Sequence, residues 1–264
     1  MGQEIYFEFG AFVIATILTL CMCGKYSVID FKDRIFSWCA KIVMLCTFID
    51  VLAYIIVRSC MDRFSIFVQV AGALYFVFLG TFSYMLLLYV ISNIKKPNST
   101  KRIGYAVAYI PNIVVAVISI YGTFNGKIFD FSEGKVEFGP WISYMYIVPI
   151  AYLVACVIVT LINHKAIKDR NAYVFYITPI IGIVAFGIQC IDPQVYIAAA
   201  GAGIILLIVY VNFQIRLIAI DNLTKLPNAE SFWNMLDYRI AQKKSMDIIN
   251  ISLDEFRLVN QEFG

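Results

Sequence analysis

The chain has 264 residues, of which 61% are hydrophobic and 15% are charged, and its formal net charge is +3. Soluble domains contain about 45–50% apolar and about 25% charged residues. A globule of this length cannot bury the excess, so lipid is expected to cover part of the surface. The small net charge gives no electrostatic reason to expect nucleic acid as a partner. Composition therefore predicts a membrane protein with lipids around it.

Seven apolar segments are long enough to cross the hydrocarbon core of a bilayer, which takes about 20 residues in a helix. They lie near Tyr6–Cys23, Ser37–Val57, Ile66–Ile91, Ile103–Tyr121, Trp141–Ile162, Ala172–Ile191 and Gln194–Gln214. The pattern predicts an α-helical, seven-transmembrane bundle, with residues 1–213 as a sensory domain. Proline lies inside three of the segments, where it is expected to mark kinks, at Pro111, Pro149 and Pro179.

The distribution of Lys and Arg predicts the orientation, because positively charged loops stay in the cytoplasm. The loops after the first, third and fifth segments carry ten basic residues, against four in the loops after the second, fourth and sixth. The N-terminus is therefore expected outside and the C-terminus inside, in a multi-pass protein of the plasma (inner) membrane. We expect no cleavable signal peptide, because Glu4 and Glu8 stand where such a peptide carries basic residues.

The longest predicted outer loop has a pattern of its own. Lys127–Phe131 and Lys135–Phe138 alternate in polarity around Ser132-Glu133-Gly134. Alternation around a short turn is typical of a β-hairpin. Such a hairpin would serve either as a lid over a ligand site between the helices or as a plain capping loop.

Polar side chains at membrane depth are costly, and an ionisable one is by default a functional candidate. Asp50 lies near the middle of the second segment with apolar neighbours on both sides. Further candidates on the third, fourth and sixth segments fall mostly in the predicted outer half; they are Gln69, Asn112, Gln189 and Asp192. The set predicts either a sensory pocket that opens outward or interhelical hydrogen bonds, which are often worth about 1 kcal/mol or less. The abundance of aromatic residues favours a small apolar or amphipathic stimulus of unknown identity.

The seven cysteines give weak indications. Only Cys60 and Cys190 lie near the predicted outer face, where a disulfide would persist, and the sequence leaves open whether they pair. The Cys21-x-Cys23 pair lacks the additional ligands that a metal site needs. We therefore expect no metal or cofactor in the membrane part.

The last apolar segment runs directly into the polar part of the chain. Apolar residues recur along it at the spacing of a coiled-coil seam, at Ile204, Ile208, Val211, Ile215 and Ile218. Residues 214–221 are expected to form a signalling helix that joins the bundle to the polar C-terminal segment. Two such helices would form a homodimer through this seam.

The remaining residues predict the order helix, strand, helix. Asn228 is a suitable N-cap, and apolar residues then line one face of a helix to about Lys243. Ile248–Leu253 is rich in β-branched residues and predicts a buried strand, after which Asp254 caps a second helix. A segment of this length cannot form a stable α/β core alone.

Two runs in this segment resemble the opening of GGDEF domains, the family that makes cyclic di-GMP from two GTP. Asp221–Asn228 (DNLTKLPN) matches D-x-L-T-x-L-P-N, and Ser252–Gly264 (SLDEFRLVNQEFG) is similar to D-x-D-x-F-K-x-I-N-D-x-x-G. The resemblance covers about the first quarter of such a domain, here residues 222–264. It implies a bacterial signal-transduction receptor whose complete output domain binds Mg²⁺ and GTP. The signature loop is expected beyond Gly264, so this segment is not catalytic by itself.

The resemblance also implies individual roles. The Leu253 carbonyl would bind the metal, the amides of Glu255 and Phe256 would hold the triphosphate, and the Asn260 side chain would bind guanine. The sequence departs from the family at Ser252, which replaces the metal-binding Asp, and at Ala229, which replaces an Arg. A hydroxyl is a poor Mg²⁺ ligand.

Three interpretations remain open on these grounds. The first is a membrane sensor that controls an active diguanylate cyclase. In the second, the GGDEF domain is degenerate and regulatory and precedes a phosphodiesterase (EAL) domain. The third is a membrane anchor or a transporter-like bundle without sensing. Family catalysis brings two GTP-loaded domains together, so the first interpretation implies the homodimer.

Overall fold

The computed structural model describes residues 5–23, 31–94, 102–132, 135–164 and 173–218, with isolated positions between 224 and 262. The chain divides into two compact units, Met1–Asn212 and Phe213–Gly264. In its described residues the first unit is a bundle of helices with a β-hairpin. The elements of the chain are α1 (Ile5–Cys23), α2 (Phe31–Ile94), α3 (Arg102–Ala108), α4 (Ile110–Phe124), β1 (Phe129–Ser132), β2 (Lys135–Phe138), a 3₁₀ helix (Ser143–Tyr146), α5 (Ile147–Ile162), α6 (Val174–Ile191) and α7 (Ala198–Ile218), which begins in the first unit.

Helix α2, Phe31–Ile94, contains both the second and the third predicted span. Cys46 and Leu79 nevertheless line the same small cavity, although a straight helix would separate them by about 50 Å. The helix therefore folds back on itself, and its two arms lie side by side. We refer to Lys32–Ile56 as the first arm and Ile66–Asn93 as the second arm.

Five helical segments among the described residues are long and apolar enough to cross a membrane. They are the two arms of α2 together with Gly104–Phe124, Ser143–Ile162 and Val174–Ile191, while Tyr6–Met22 and Ala198–Gln214 are shorter apolar helices. Large apolar side chains also point away from the bundle, including Val117 (62% exposed) and Val184 (55% exposed). A surface of this kind is suited to lipid. The protein is thus an α-helical membrane protein.

The three prolines have different positions relative to the helices. Pro111 lies in the first turn of α4, where the chain is interrupted at Tyr109 between α3 and α4. Pro149 lies in the first turn of α5, where a missing N–H leaves no intrahelical bond unmade. Only Pro179 is inside a helix. Of the predicted proline kinks, the one near Pro111 is therefore a break between two helices, α3 and α4.

The predicted β-hairpin is confirmed. β1 and β2 pair antiparallel, with Phe129 opposite Phe138 and Ser132 opposite Lys135. The approach to β1 requires Gly126, whose φ of 66° is favourable for glycine. Phe129 lies against Gly72 of the second arm, where a Cβ would overlap its ring. The hairpin is thus held on one end of the bundle, which we call the hairpin end.

Small residues allow α7 to approach its neighbours closely. A Cβ at Gly201 would lie 2.6 Å from the Ala185 Cβ on α6, and one at Gly203 would lie 3.4 Å from Ala11 on α1. Close approach of this kind is the usual means of helix association in membranes. Ile205 and Leu206 complete the buried face of α7. Helix α7 therefore packs against both α1 and α6.

The second unit is described at isolated positions only. Ala229, Phe232, Trp233, Leu236 and Ile240 are helical, as predicted for the helix after Asn228. The predicted buried strand is wrong at its two described residues. Ile248 and Ile249 lie outside regular structure and are 59% and 83% exposed. A strand needs a partner for its backbone groups, and the described residues of this unit provide none.

Candidate functional site

Two groups of polar side chains stand out among the described residues of the first unit. One group lies toward the hairpin end and contains Glu8, Asp50, Tyr75, Tyr146 and Gln189. We call these five residues the carboxyl–tyrosine cluster. They come from α1, both arms of α2, the 3₁₀ helix and α6, so only the folded bundle brings them together.

Glu8 is the most unusual member of this cluster. It lies in the first turn of α1, its side chain is 4% exposed, and neither carboxylate oxygen has a hydrogen-bond partner among the described residues. An uncompensated buried carboxylate is strongly unfavourable. The position therefore calls for a proton or a bound cation.

Asp50 places a second carboxyl group beside Glu8. The two interact electrostatically, and the ring contact between Phe12 and Phe48, at 5.8 Å, shows how closely α1 and the first arm pack. The only hydrogen bond of Asp50 among the described residues comes from the Cys46 thiol, at 3.9 Å. Asp50 is half-buried, so it has more access to the surroundings than Glu8.

Two tyrosines face these carboxyl groups. The side chains of Tyr75 and Tyr146 interact with one another, and each interacts electrostatically with Glu8 and Asp50. Phe76 lies in edge contact with both rings, at 5.3 and 5.5 Å. The carboxyl groups therefore lie beside an aromatic wall that carries two hydroxyls.

Gln189 connects the cluster to the start of α7. Its Nε2 donates to the Tyr75 hydroxyl at 3.2 Å, and its Oε1 accepts from the Ala198 N–H at 2.8 Å. Both Gln189 and Ala198 are almost fully buried. A change in the position of Tyr75 is thereby linked to the first turn of α7.

A small cavity adjoins the cluster. It contains about 290 Å³ of space not filled by atoms, including its open mouth. Cys46 and Tyr75 form its border with the cluster, and the rest of its lining comes from the two arms and α7, including Val43, Leu79 and Ala202. Apart from the edge it shares with the cluster, the cavity is apolar.

The hairpin covers this end of the bundle through aromatic contacts. Phe129 stacks on Phe76 at 6.2 Å, and Phe138 lies 6.4 Å from Tyr196. Phe76 in turn touches Tyr75 and Tyr146. The hairpin therefore rests directly on the aromatic wall of the cluster, a position that suits both the lid and the capping interpretation.

The second polar group is centred on Asn112 and is separate from the first. Asn112 is 1% exposed, and its Nδ2 donates to the hydroxyls of Thr81 and Tyr109, each at 3.0 Å. Its Oδ1 lies against Gly80, where a Cβ would overlap it. The contacts with Thr81 and Gly80 join α4 to the second arm, so the described neighbours of Asn112 support the hydrogen-bond interpretation for this residue.

The sequence-based candidates are thus divided. Asp50 and Gln189 fall in one cluster through Tyr75, whereas Asn112 belongs to the second group. Asp192 is exposed at the end of α6 and accepts a bond from the Gln194 N–H at 3.1 Å. Gln69 is half-buried on the second arm. The candidates for nucleotide and metal binding lie outside the described residues; they are Ser252, Leu253, Glu255, Phe256 and Asn260.

Sequence reasoning missed Glu8, Tyr75 and Tyr146 as members of the site. Glu8 had a usable signal, because it is an acidic residue inside the first apolar segment, Tyr6–Cys23. The tyrosines had none, since the sequence contains 17 of them. Of the two cysteines considered for a disulfide, Cys190 is a free thiol bonded to the Ser143 carbonyl at 3.4 Å, and the side chain of Cys60 lies outside the described residues.

No protein-family model, curated protein or solved structure matches this chain.

Proposed function

We propose that the chain is the input part of a membrane-bound sensor of cyclic di-GMP signalling. In this proposal a seven-helix bundle controls a cytoplasmic GGDEF module that makes cyclic di-GMP from two GTP. The observation that carries the proposal is the sequence Leu223–Asn228, which resembles a GGDEF opening and comes shortly after α7, the last apolar helix. The cluster supports an input role, because a simple anchor has no need of an unpaired buried carboxylate.

The positive-inside rule supports an orientation for this receptor. Basic residues are concentrated after the first, third and fifth apolar segments, whereas the hairpin follows the fourth. The hairpin and the carboxyl–tyrosine cluster would then face the exterior of the inner membrane. The end of α7 would face the cytoplasm, where GTP and Mg²⁺ are found.

Helix α7 offers a physical route for the signal. Its first turn is bonded to Gln189 of the cluster, and the helix continues to Ile218, next to the GGDEF-like sequence. A rigid helix transmits rotation or translation over its whole length. Binding that shifts Tyr75 would thus alter the geometry of the attached output modules.

One departure from the family favours a second candidate function. Ser252 replaces the metal-binding Asp, and Mg²⁺ prefers carboxylate and phosphate oxygens to a neutral hydroxyl. In this alternative the GGDEF domain binds GTP without cyclising it and regulates an EAL phosphodiesterase domain further along the chain. The two candidates share the receptor and differ in the direction of the nucleotide reaction.

A nucleotide assay tests the proposal. The full-length gene product in nanodiscs, incubated with Mg²⁺ and GTP, is expected to form cyclic di-GMP, which chromatography resolves. A Ser252→Asp variant is expected to be at least as active, because it restores the carboxylate. Loss of added cyclic di-GMP without any synthesis would favour the regulatory alternative. If neither reaction occurs in the native protein or in Ser252→Asp, the cyclic di-GMP assignment is wrong.

The proposed homodimer predicts a pattern of cross-links along α7. Val211 is 49% exposed on the predicted seam, whereas Ile205 is fully buried in the bundle. On mild oxidation in native membranes, a cysteine at Val211 is expected to give a much higher yield of disulfide-linked dimer than the unsubstituted chain. A cysteine at Ile205 is expected to give no such increase. Equal cross-linking from an exposed position on another helix, such as Val184 on α6, would indicate random collision and contradict the seam.

A further inference from the structure

The carboxyl–tyrosine cluster contains two carboxyl groups without a basic partner in the described part of the chain. Glu8 and Asp50 interact electrostatically, and Glu8 has no hydrogen-bond partner among the described residues. The other titratable groups facing them are Cys46, Tyr75 and Tyr146, which carry no positive charge. If either carboxyl group is ionised, the compensating cation must come from outside the described residues.

Two described lysines of the bundle lie over tryptophan rings outside the carboxyl–tyrosine cluster. Lys41 Nζ lies 5.2 Å from the centre of the Trp38 ring, and Lys127 Nζ lies 4.5 Å from that of Trp141. Within the described ranges no lysine or arginine contributes to the electrostatic surroundings of Glu8 or Asp50. Where the carboxyl groups are ionised, a bound cation would supply the charge that the described residues lack.

The surroundings of the carboxyl pair indicate what kind of cation fits. In the part of the chain that the structure describes, no group of three or more His, Cys, Asp and Glu side chains is placed to hold a metal. The pair is instead flanked by aromatic rings and tyrosine hydroxyls, which suit an ammonium group. The adjoining cavity, bordered by Cys46 and Tyr75, is apolar and suits a short hydrocarbon chain.

We propose that this cluster is a binding site for a small alkylammonium ion. The ammonium group lies between Glu8 and Asp50 and donates to their oxygens and to the Tyr75 hydroxyl. The alkyl chain extends into the cavity between the two arms of α2 and α7. Access is through Asp50, the more exposed of the two carboxyl groups. The inference deepens the proposed function by naming the class of ligand. It rests on that function only in treating this ligand as the stimulus of the receptor.

Thermal unfolding of the complete chain in nanodiscs tests this site at fixed pH and ionic strength. Ammonium, methylammonium, propylammonium, sodium and choline chlorides are compared. We expect the melting temperature to rise by about 3 °C or more in propylammonium relative to choline. The rise should increase from ammonium to propylammonium as the cavity fills. Equilibrium dialysis with labelled methylammonium should give about one ion bound per chain, the stoichiometry of one carboxylate pair.

Three variants separate the site from general salt effects. Glu8→Gln and Asp50→Asn are each expected to abolish the rise, whereas Asp192→Asn, which changes an exposed carboxylate, should retain it. Ala202→Val narrows the cavity. It should reduce the increase in melting temperature caused by propylammonium and leave the increase caused by ammonium unchanged. Equal stabilisation by sodium, a rise that persists in Glu8→Gln and Asp50→Asn, or no rise and no bound methylammonium would each overturn the proposal. These measurements need no nucleotide turnover, so their outcome is independent of the cyclic di-GMP assignment.

Discussion

Replacing Gly80 by Leu is expected to destabilise the bundle more than any other single change on the second arm. A Cβ at this position overlaps the Asn112 side chain, so α4 must move or Asn112 must leave its site. Displacing the Asn112 side chain breaks its hydrogen bonds to Thr81 and Tyr109, which lowers stability by about 1 kcal/mol for each bond. Overpacking lowers it by about 1–3 kcal/mol more. The expected fall in melting temperature, measured in detergent or nanodiscs, is about 10 °C.

Gly104 provides the matched control for this substitution. It is also a helical glycine, but a Cβ there would meet nothing within 4 Å, so Gly104→Leu should change stability little. A double-mutant cycle then tests the cause. If Gly80→Ala acts through Asn112, combining it with Asn112→Ala should destabilise less than the sum of the single changes. Simple additivity would mean that Gly80 is sensitive for another reason.

Replacing Gln189 by Leu is expected to lower the unfolding free energy by about 2–4 kcal/mol, because it removes two buried hydrogen bonds. One is the bond to the Tyr75 hydroxyl, and the other is the bond from the Ala198 N–H, which loses its acceptor at the start of α7. Gln189→Met removes the same two hydrogen bonds with an unbranched side chain of similar length, so its effect should be similar to that of Gln189→Leu. Thermal unfolding under matched conditions measures all three proteins.

Gln69 is the control for this prediction. It is a half-buried glutamine on the second arm, without a hydrogen bond to any residue within the described ranges. Gln69→Leu should therefore change stability by no more than about 0.5 kcal/mol. A similar loss of unfolding free energy in Gln189→Leu and Gln69→Leu would mean that the hydrogen bonds from Gln189 to Tyr75 and Ala198 do not cause the effect.

The proposed receptor function adds a further consequence of the Gln189 bridge. Because Gln189 joins the cluster to α7, its loss should weaken the coupling between ligand and output even where the protein remains folded. The binding of methylammonium at Glu8 and Asp50 would then persist while any ligand effect on nucleotide turnover falls. Loss of binding together with coupling would instead mean that Gln189 supports the site itself.

Local features of the sequence determined the elements that depend on local chemistry. Each predicted apolar segment is helical over most of its described residues, because a helix satisfies its own backbone hydrogen bonds and needs only an apolar surface to enter lipid. The hairpin at Phe129–Phe138 was predictable for a similar reason, since alternation and a short turn specify it within ten residues. The strand at Ile248 failed because a strand depends on a partner elsewhere in the chain.

The grouping of polar residues was decided only by the tertiary structure. In a helix that is apolar on nearly every side, the sequence does not reveal which face turns inward, so Asp50, Gln189 and Asn112 were equivalent candidates. Packing of α1 against the first arm brought Glu8 to Asp50, and packing of α4 on Gly80 placed Asn112 in a separate group. Composition and pattern thus determined a helical membrane protein, while the GGDEF domain after it stays a prediction. The carboxyl–tyrosine cluster exists because side chains distant in sequence meet only when the helices pack.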